Sequence, residues 1–93
     1  MIHVVVISSG ARKDLRKCPS QVVQKLMLWI GSVQAVGLEE TRKSKGFHDE
    51  PLKGDWKGSR SIRLNRAYRA IYNVKEDDSV EFALVENVTK HKY

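Results

Sequence analysis

The sequence predicts an α+β fold in which two N-terminal helices pack on an antiparallel sheet, in the order β-α-α-β-β-β. Three observations carry that expectation. The chain opens on a β-branched run, continues through a stretch with apolar residues every three or four positions, and ends in segments that alternate apolar and polar residues. At 93 residues it makes a single domain over 1–93, small enough that its core is marginal without a partner.

Residues 2–7 are apolar except for His3, the composition of a strand buried on both faces, and His3 reads as a satisfied structural histidine. Ser8 and Ser9 can cap a short helix that runs to about Lys17, where Pro19 stops it. Ser20 then caps a longer helix carrying Val22, Val23, Leu26, Met27, Ile30 and Val33 as one apolar stripe, with Gly37 ending it. Residues 38–55 are polar and irregular, with a short helical turn expected over 39–43. After Gly58, Ile62 and Leu64 oppose Ser61 and Arg63 across a half-buried strand. A second strand over 67–74 puts Tyr68, Ala70, Tyr72 and Val74 on one face. Glu76, Asp77 and Asp78 form a turn, and a third strand over 80–88 presents Val80, Phe82, Leu84 and Val88 together. Residues 89–93 read as a polar tail.

The formal charge of +6 favours an anionic partner, either nucleic acid or an acidic protein. One cysteine, Cys18, excludes an internal disulfide, suits a reducing compartment and reads as structural. The opening apolar run has no basic residues before it, and no segment approaches a membrane span, so a cytoplasmic location and no membrane partner are expected.

The chemistry concentrates in residues 53–75. Four arginines, Arg60, Arg63, Arg66 and Arg69, recur there at three-residue spacing among Trp56, Tyr68 and Tyr72, with Lys53 and Lys57 just upstream. A spacing of three sends successive side chains to opposite faces of a strand. Guanidinium grips phosphate bidentately and aromatic rings stack on bases, so this surface is expected to handle RNA. Trp56 reads as a packing anchor for its loop, and Arg60 as able to pair with a carboxylate such as Asp55. The histidines at 3, 48 and 91 have no metal-ligand spacing, the glycines of KGDWKG lack the ending of a phosphate-binding loop, and no cofactor is called for. What remains suits metal-free phosphodiester cleavage. RNA supplies its own 2′-hydroxyl nucleophile. The protein then needs a base, a permanent cation for the charged phosphorus and an acid for the leaving 5′-oxygen. Arg69 fits the cation, as do Arg60, Arg63 and Arg66, and His91 or His48 either proton-transfer role.

At PLKGDWKGSRSIRL, YRAIY and the histidine after VENVTK, the chain resembles the RelE/ParE superfamily of type II toxin–antitoxin toxins, nearest its HigB-like and YafQ-like members. The resemblance implies a small basic endoribonuclease that cuts mRNA in the A site of the small ribosomal subunit and is neutralised by an acidic antitoxin. It implies that Arg69 is the transition-state arginine and His91 the C-terminal catalytic histidine. Arg63 takes the place of a strand lysine, and Tyr68 that of a base-stacking aromatic. His48 resembles the loop histidine of YafQ, two residues farther from the shared P-L-x-G. Lys90 stands where HigB has a catalytic tyrosine, and Tyr93 is the available substitute. Ala67 and Ser61 stand where relatives carry an acid or base, which leaves the proton-transfer group unassigned. A ParE-like inhibitor of DNA gyrase that cuts no RNA is the alternative within the same resemblance.

Overall fold

The computed structural model describes residues 1–90. Its elements run β1 (Val4–Ile7), α1 (Ser9–Arg16), α2 (Ser20–Val36), α3 (Leu38–Arg42), β2 (Glu50–Pro51), β3 (Arg60–Arg63), β4 (Tyr68–Asp77) and β5 (Val80–Lys90). The strands form one sheet in the order β1-β5-β4-β3-β2. This is the α+β architecture that the pattern predicts, with the expected helical turn in 38–55 present as α3, one addition there (β2) and one change of direction. β1 lies parallel to β5, so the sheet is mixed, while β2 through β5 pair antiparallel.

Ser8 caps α1 as expected, its Oγ accepting from the Ala11 amide at 3.0 Å. In α2 the buried stripe is Val22, Leu26, Trp29 and Val33, which differs from the predicted one. Helical residues advance about 100° each. Trp29 therefore falls in line with Leu26 and Val33, whereas Met27 turns well away from them and is exposed. Gly37 ends α2 at a φ of 91°, its amide donating to Val33 O, and its carbonyl accepts both the amide and the hydroxyl of Thr41 in α3. A side chain at Gly37 would be strained at that φ and would meet Met1 at 3.2 Å.

Trp29 packs on Tyr72 of β4, ring centroids 5.0 Å apart, at the centre of a core that also takes Ile62, Leu64, Ala70, Ala83, Val85 and Val88 from the sheet. Burying side chains of this size supplies the main stabilisation, on the order of 1.5–3 kcal/mol each. The helices contribute to this core from one side only. β1 is consequently an edge strand with alternating exposure, Val4 and Val6 open and Val5 and Ile7 packed inward, rather than a strand buried on both faces.

A bulge corrects the predicted face of β5. Ile71 pairs with Asn87, but Tyr72 pairs with Val85, so Glu86 has no partner on β4. The extra residue inverts the alternation. Val88 points inward as predicted, whereas upstream of the bulge Ala83 and Val85 do so in place of Phe82 and Leu84. α1 is fastened to this irregularity. Asp14 Oδ2 accepts from the Val88 amide at 3.0 Å, the Ser8 amide donates to Val85 O, and Ser8 Oγ donates to Glu86 O. The predicted turn at 76–78 is also displaced. Glu76 and Asp77 stay in the ladder opposite Glu81 and Val80, and the reversal falls on Asp78 and Ser79, both at positive φ. That two-residue turn matches the twist of two long strands. Residues 89 and 90, read as tail, extend β5.

Candidate nucleic-acid and catalytic site

The sheet face turned away from the core is where the strand arginines meet. Since Ile62, Ala70 and Val88 point inward, their neighbours Ser61, Arg63, Arg69, Ile71, Asn87 and Thr89 point the other way. Arg63 lies directly opposite Arg69, and Arg69 opposite Thr89. Two like charges side by side on adjacent strands repel, and here a carboxylate sits against one of the pair. Arg69 Nη1 donates to Glu50 Oε1 at 3.2 Å, from β2 across β3. Ser61, paired with Glu50 and Ile71, is 1% exposed, and its hydroxyl finds no hydrogen-bond partner among the described residues. A buried orphan hydroxyl is costly. It sits on the floor between the two arginines and the carboxylate.

Glu50 is held there by its neighbour. The Asp49 side chain, fully buried, accepts from Arg60 Nε at 2.6 Å and from Tyr72 Oη at 2.5 Å, and Tyr72 Oη in turn accepts from Arg42 Nε at 3.2 Å. Burial, reinforced by Asp49, pushes the Tyr72 phenol up to about 12, against the opposing pull of Arg42. Burial alone would lower Arg60, but hydrogen bonding and attraction to Asp49 outweigh it and the guanidinium is raised. The partner that sequence proposes for Arg60, Asp55, is thus replaced by Asp49. Arg60 pairs with Tyr72 in register and faces the helices, on the opposite side of the sheet from Arg63 and Arg69. Asp49 places His48 at the rim of an open cleft of about 330 Å³, lined with it by Arg42, Lys43, Ser44, Lys45 and Glu50. His48 itself is exposed and left-handed, with φ 51°.

The remaining predicted residues surround this face. Tyr68 is the exception: half-buried at the start of β4 and paired with Lys90, it shares the inward face of Ala70 and Tyr72 and packs against the core, on the opposite side of the sheet from Arg69, because successive strand residues alternate faces. Arg66 lies in the exposed turn between β3 and β4, which Asn65 shapes by accepting from the Ala67 and Tyr68 amides at 2.8 Å. Lys53 and Lys57 project from the loop between β2 and β3, where Gly54 and Gly58 adopt positive φ. Trp56 is 42% exposed at the same loop tip, so it is not the packing anchor that the sequence suggests. His91 and Tyr93 lie outside the described residues; the last one described is Lys90.

Solved structures with a similar fold include a YoeB/ParE toxin from Agrobacterium tumefaciens, at TM-score 0.71 and 22% identity over 96% of this chain and 99% of that one. A YafQ variant from E. coli superposes with TM-score 0.71 at 19% identity, covering 94% and 91%. The RelBE2 toxin–antitoxin complex from Mycobacterium tuberculosis gives 0.64 at 21% identity, covering 98% and 100%. The chain has the RelE/ParE-like fold. No family model matches the sequence, and no curated protein resembles it at a significant level. Of the predicted residues, the structure brings Arg63 and Arg69 together and sets His48 beside Glu50 at the cleft rim; it also brings in two acids that the sequence reading did not single out, Asp49 and Glu50. Their signal was a pair of acids within a basic chain, just before the P-L-K-G turn. Among the described residues, no helix is long and apolar enough to cross a membrane.

Proposed function

We propose that this protein is the toxin of a type II toxin–antitoxin system, an endoribonuclease that cleaves mRNA on the translating ribosome by metal-independent attack of the 2′-hydroxyl. The observation that carries the reading is the carboxylate of Glu50 against the guanidinium of Arg69, beside Arg63 on the open sheet face. Likeness of fold to toxins of this kind supports it. An entering phosphodiester replaces Glu50 as the anion on Arg69, freeing the carboxylate next to the bound phosphate. Glu50 then takes the 2′-hydroxyl proton as the new oxygen–phosphorus bond forms. Arg69 and Arg63 stabilise the charge on pentacoordinate phosphorus. A histidine, His91 or the rim residue His48, protonates the 5′-oxygen as its bond to phosphorus breaks, giving a cyclic phosphate and a free 5′-hydroxyl. Tyr93 is a second candidate beside His91. Lys53, Lys57 and Arg66 line the path of the strand. The partner that holds the toxin inactive is an acidic antitoxin segment that folds as it binds.

Induced expression of the wild type should arrest growth, and primer extension should find transcripts cut at codons under translation. Arg69→Ala and Glu50→Gln should each slow cleavage by roughly 10²–10³-fold, the usual effect of losing a transition-state electrostatic partner, while remaining folded by circular dichroism. Undiminished cleavage in both variants would remove the proposed site. Intact transcripts with DNA damage would instead indicate a gyrase-directed toxin.

A further inference from the structure

The side of the molecule opposite Arg63 and Arg69 carries a second concentration of positive charge. Within α1 and its C-cap, Arg12, Lys13, Arg16 and Lys17 are all exposed. At about 100° per residue they fall within an arc of roughly 140°, while Ala11, Asp14 and Leu15 occupy the inner face. Arg12 and Arg16, like Lys13 and Lys17, are one turn apart, about 6 Å along the axis. The sole acid of the helix, Asp14, is occupied by the Val88 amide at the β5 bulge. Among the described residues no carboxylate lies within 4.0 Å of any of the four cations. Arg12 is further held in place by its Nε, which donates to Ile7 O at 3.3 Å.

We propose that this ridge is a docking surface for the phosphate backbone of double-helical RNA, separate from the strand arginines. The composition of the ridge selects the partner. Protein interfaces draw their energy from a buried apolar or aromatic centre, and the outward arc of α1 has neither. Single-stranded RNA is held by stacking on aromatic rings, and none stands on this helix. Cations in a row, flanked by the exposed small residues Ser9, Gly10 and Ser20, meet the one requirement of duplex backbone binding, which is charge neutralisation with close approach. Because α1 packs on the helical side of the sheet, one bound molecule presents Arg69 to a substrate strand while the ridge grips a structured RNA elsewhere. The choice of RNA over DNA rests on the function proposed above; the geometry of the ridge does not.

The test compares full-length protein carrying Arg69→Ala, which silences the proposed chemistry, with the same chain carrying R12Q, K13Q, R16Q and K17Q in addition. Glutamine keeps helix propensity close to that of the residues it replaces. R12Q/R16Q and K13Q/K17Q double variants guard against misfolding of the quadruple one, with melting curves as the control. Fluorescence anisotropy is read on short duplex RNA, the same strand unpaired, duplex DNA and poly-glutamate, across a salt series. Each lost phosphate contact removes about 0.9 from the slope of log affinity against log salt. The quadruple variant should therefore bind duplex RNA roughly a hundredfold more weakly at low salt, with a slope shallower by about 3.6, and each double variant should show about half that change in slope. Unpaired RNA should be far less affected. Unchanged affinity and slope on duplex RNA would overturn the proposal, as would a loss confined to duplex DNA or to poly-glutamate. Mapping of cleaved transcripts is read separately, so failure of the Arg69 site leaves this result standing.

Discussion

Replacing Asp49 by Asn tests how the sheet and the loop before it are joined. The substitution keeps the size of a fully buried side chain but removes its charge and one of its two acceptor oxygens. Arg60 Nε at 2.6 Å and Tyr72 Oη at 2.5 Å both donate to the carboxylate, so one of them must face an amide nitrogen instead. Breaking a buried ion pair from one side costs about 3–5 kcal/mol. Arg60 retains 29% exposure, and water can hydrate its outer nitrogens, which reduces the figure to about 2–3 kcal/mol. In a domain of this size each kcal/mol lowers the melting temperature by about 4–8 °C, so the loss should be roughly 10–20 °C. Thermal denaturation followed by circular dichroism measures it, and an Arg60→Ala, Asp49→Asn double-mutant cycle isolates the coupling. A variant melting within about 3 °C of the wild type would refute the idea that this network holds the loop. Because His48 and Glu50 flank Asp49, the same substitution should also impair the proposed activity.

Two further outcomes follow from the same contacts. The Tyr72 phenol, raised from 10.0 to about 12, stays protonated in the folded protein after the unfolded chain has ionised. Its contribution to stability is therefore whole below about pH 10 and falls as pH climbs towards 12; ultraviolet titration should show a late tyrosine step that Tyr72→Phe abolishes, and simultaneous ionisation of all tyrosines would contradict it. Asp14→Ala strands the Val88 amide at the bulge and should cost about 1–3 kcal/mol in urea denaturation, with faster hydrogen exchange at Val88. An unchanged exchange rate there would show that α1 does not secure the bulge.

Local pattern and pairwise contact divide what was legible in this chain. The element order, the Ser8 cap, the end of α2 at Gly37, the inward pair Ile62 and Leu64, and the charge that favours an anionic partner follow from propensity and periodicity, which act over a few neighbouring residues. The face of β5 above the bulge did not, because alternation counts residues and cannot register that Glu86 lacks a partner until β4 is laid beside it. Trp29 was passed over for Met27 although the helical step sets it in line with Leu26 and Val33; its contact with the Tyr72 ring appears only once β4 lies beneath the helix. The site divides in the same way. Arginine at three-residue spacing marked out the segment, but only strand pairing sets Arg63 beside Arg69 while sending Arg60 to the other side. Asp49 and Glu50, two adjacent acids in an irregular segment, acquire opposite duties because the two-residue strand β2 turns one towards Tyr72 and the other towards Arg69. Sequence alone determined which chemical groups the molecule owns and the order of the elements that carry them. Tertiary structure decided which groups share a face, since the contacts that settle it join residues far apart in the chain.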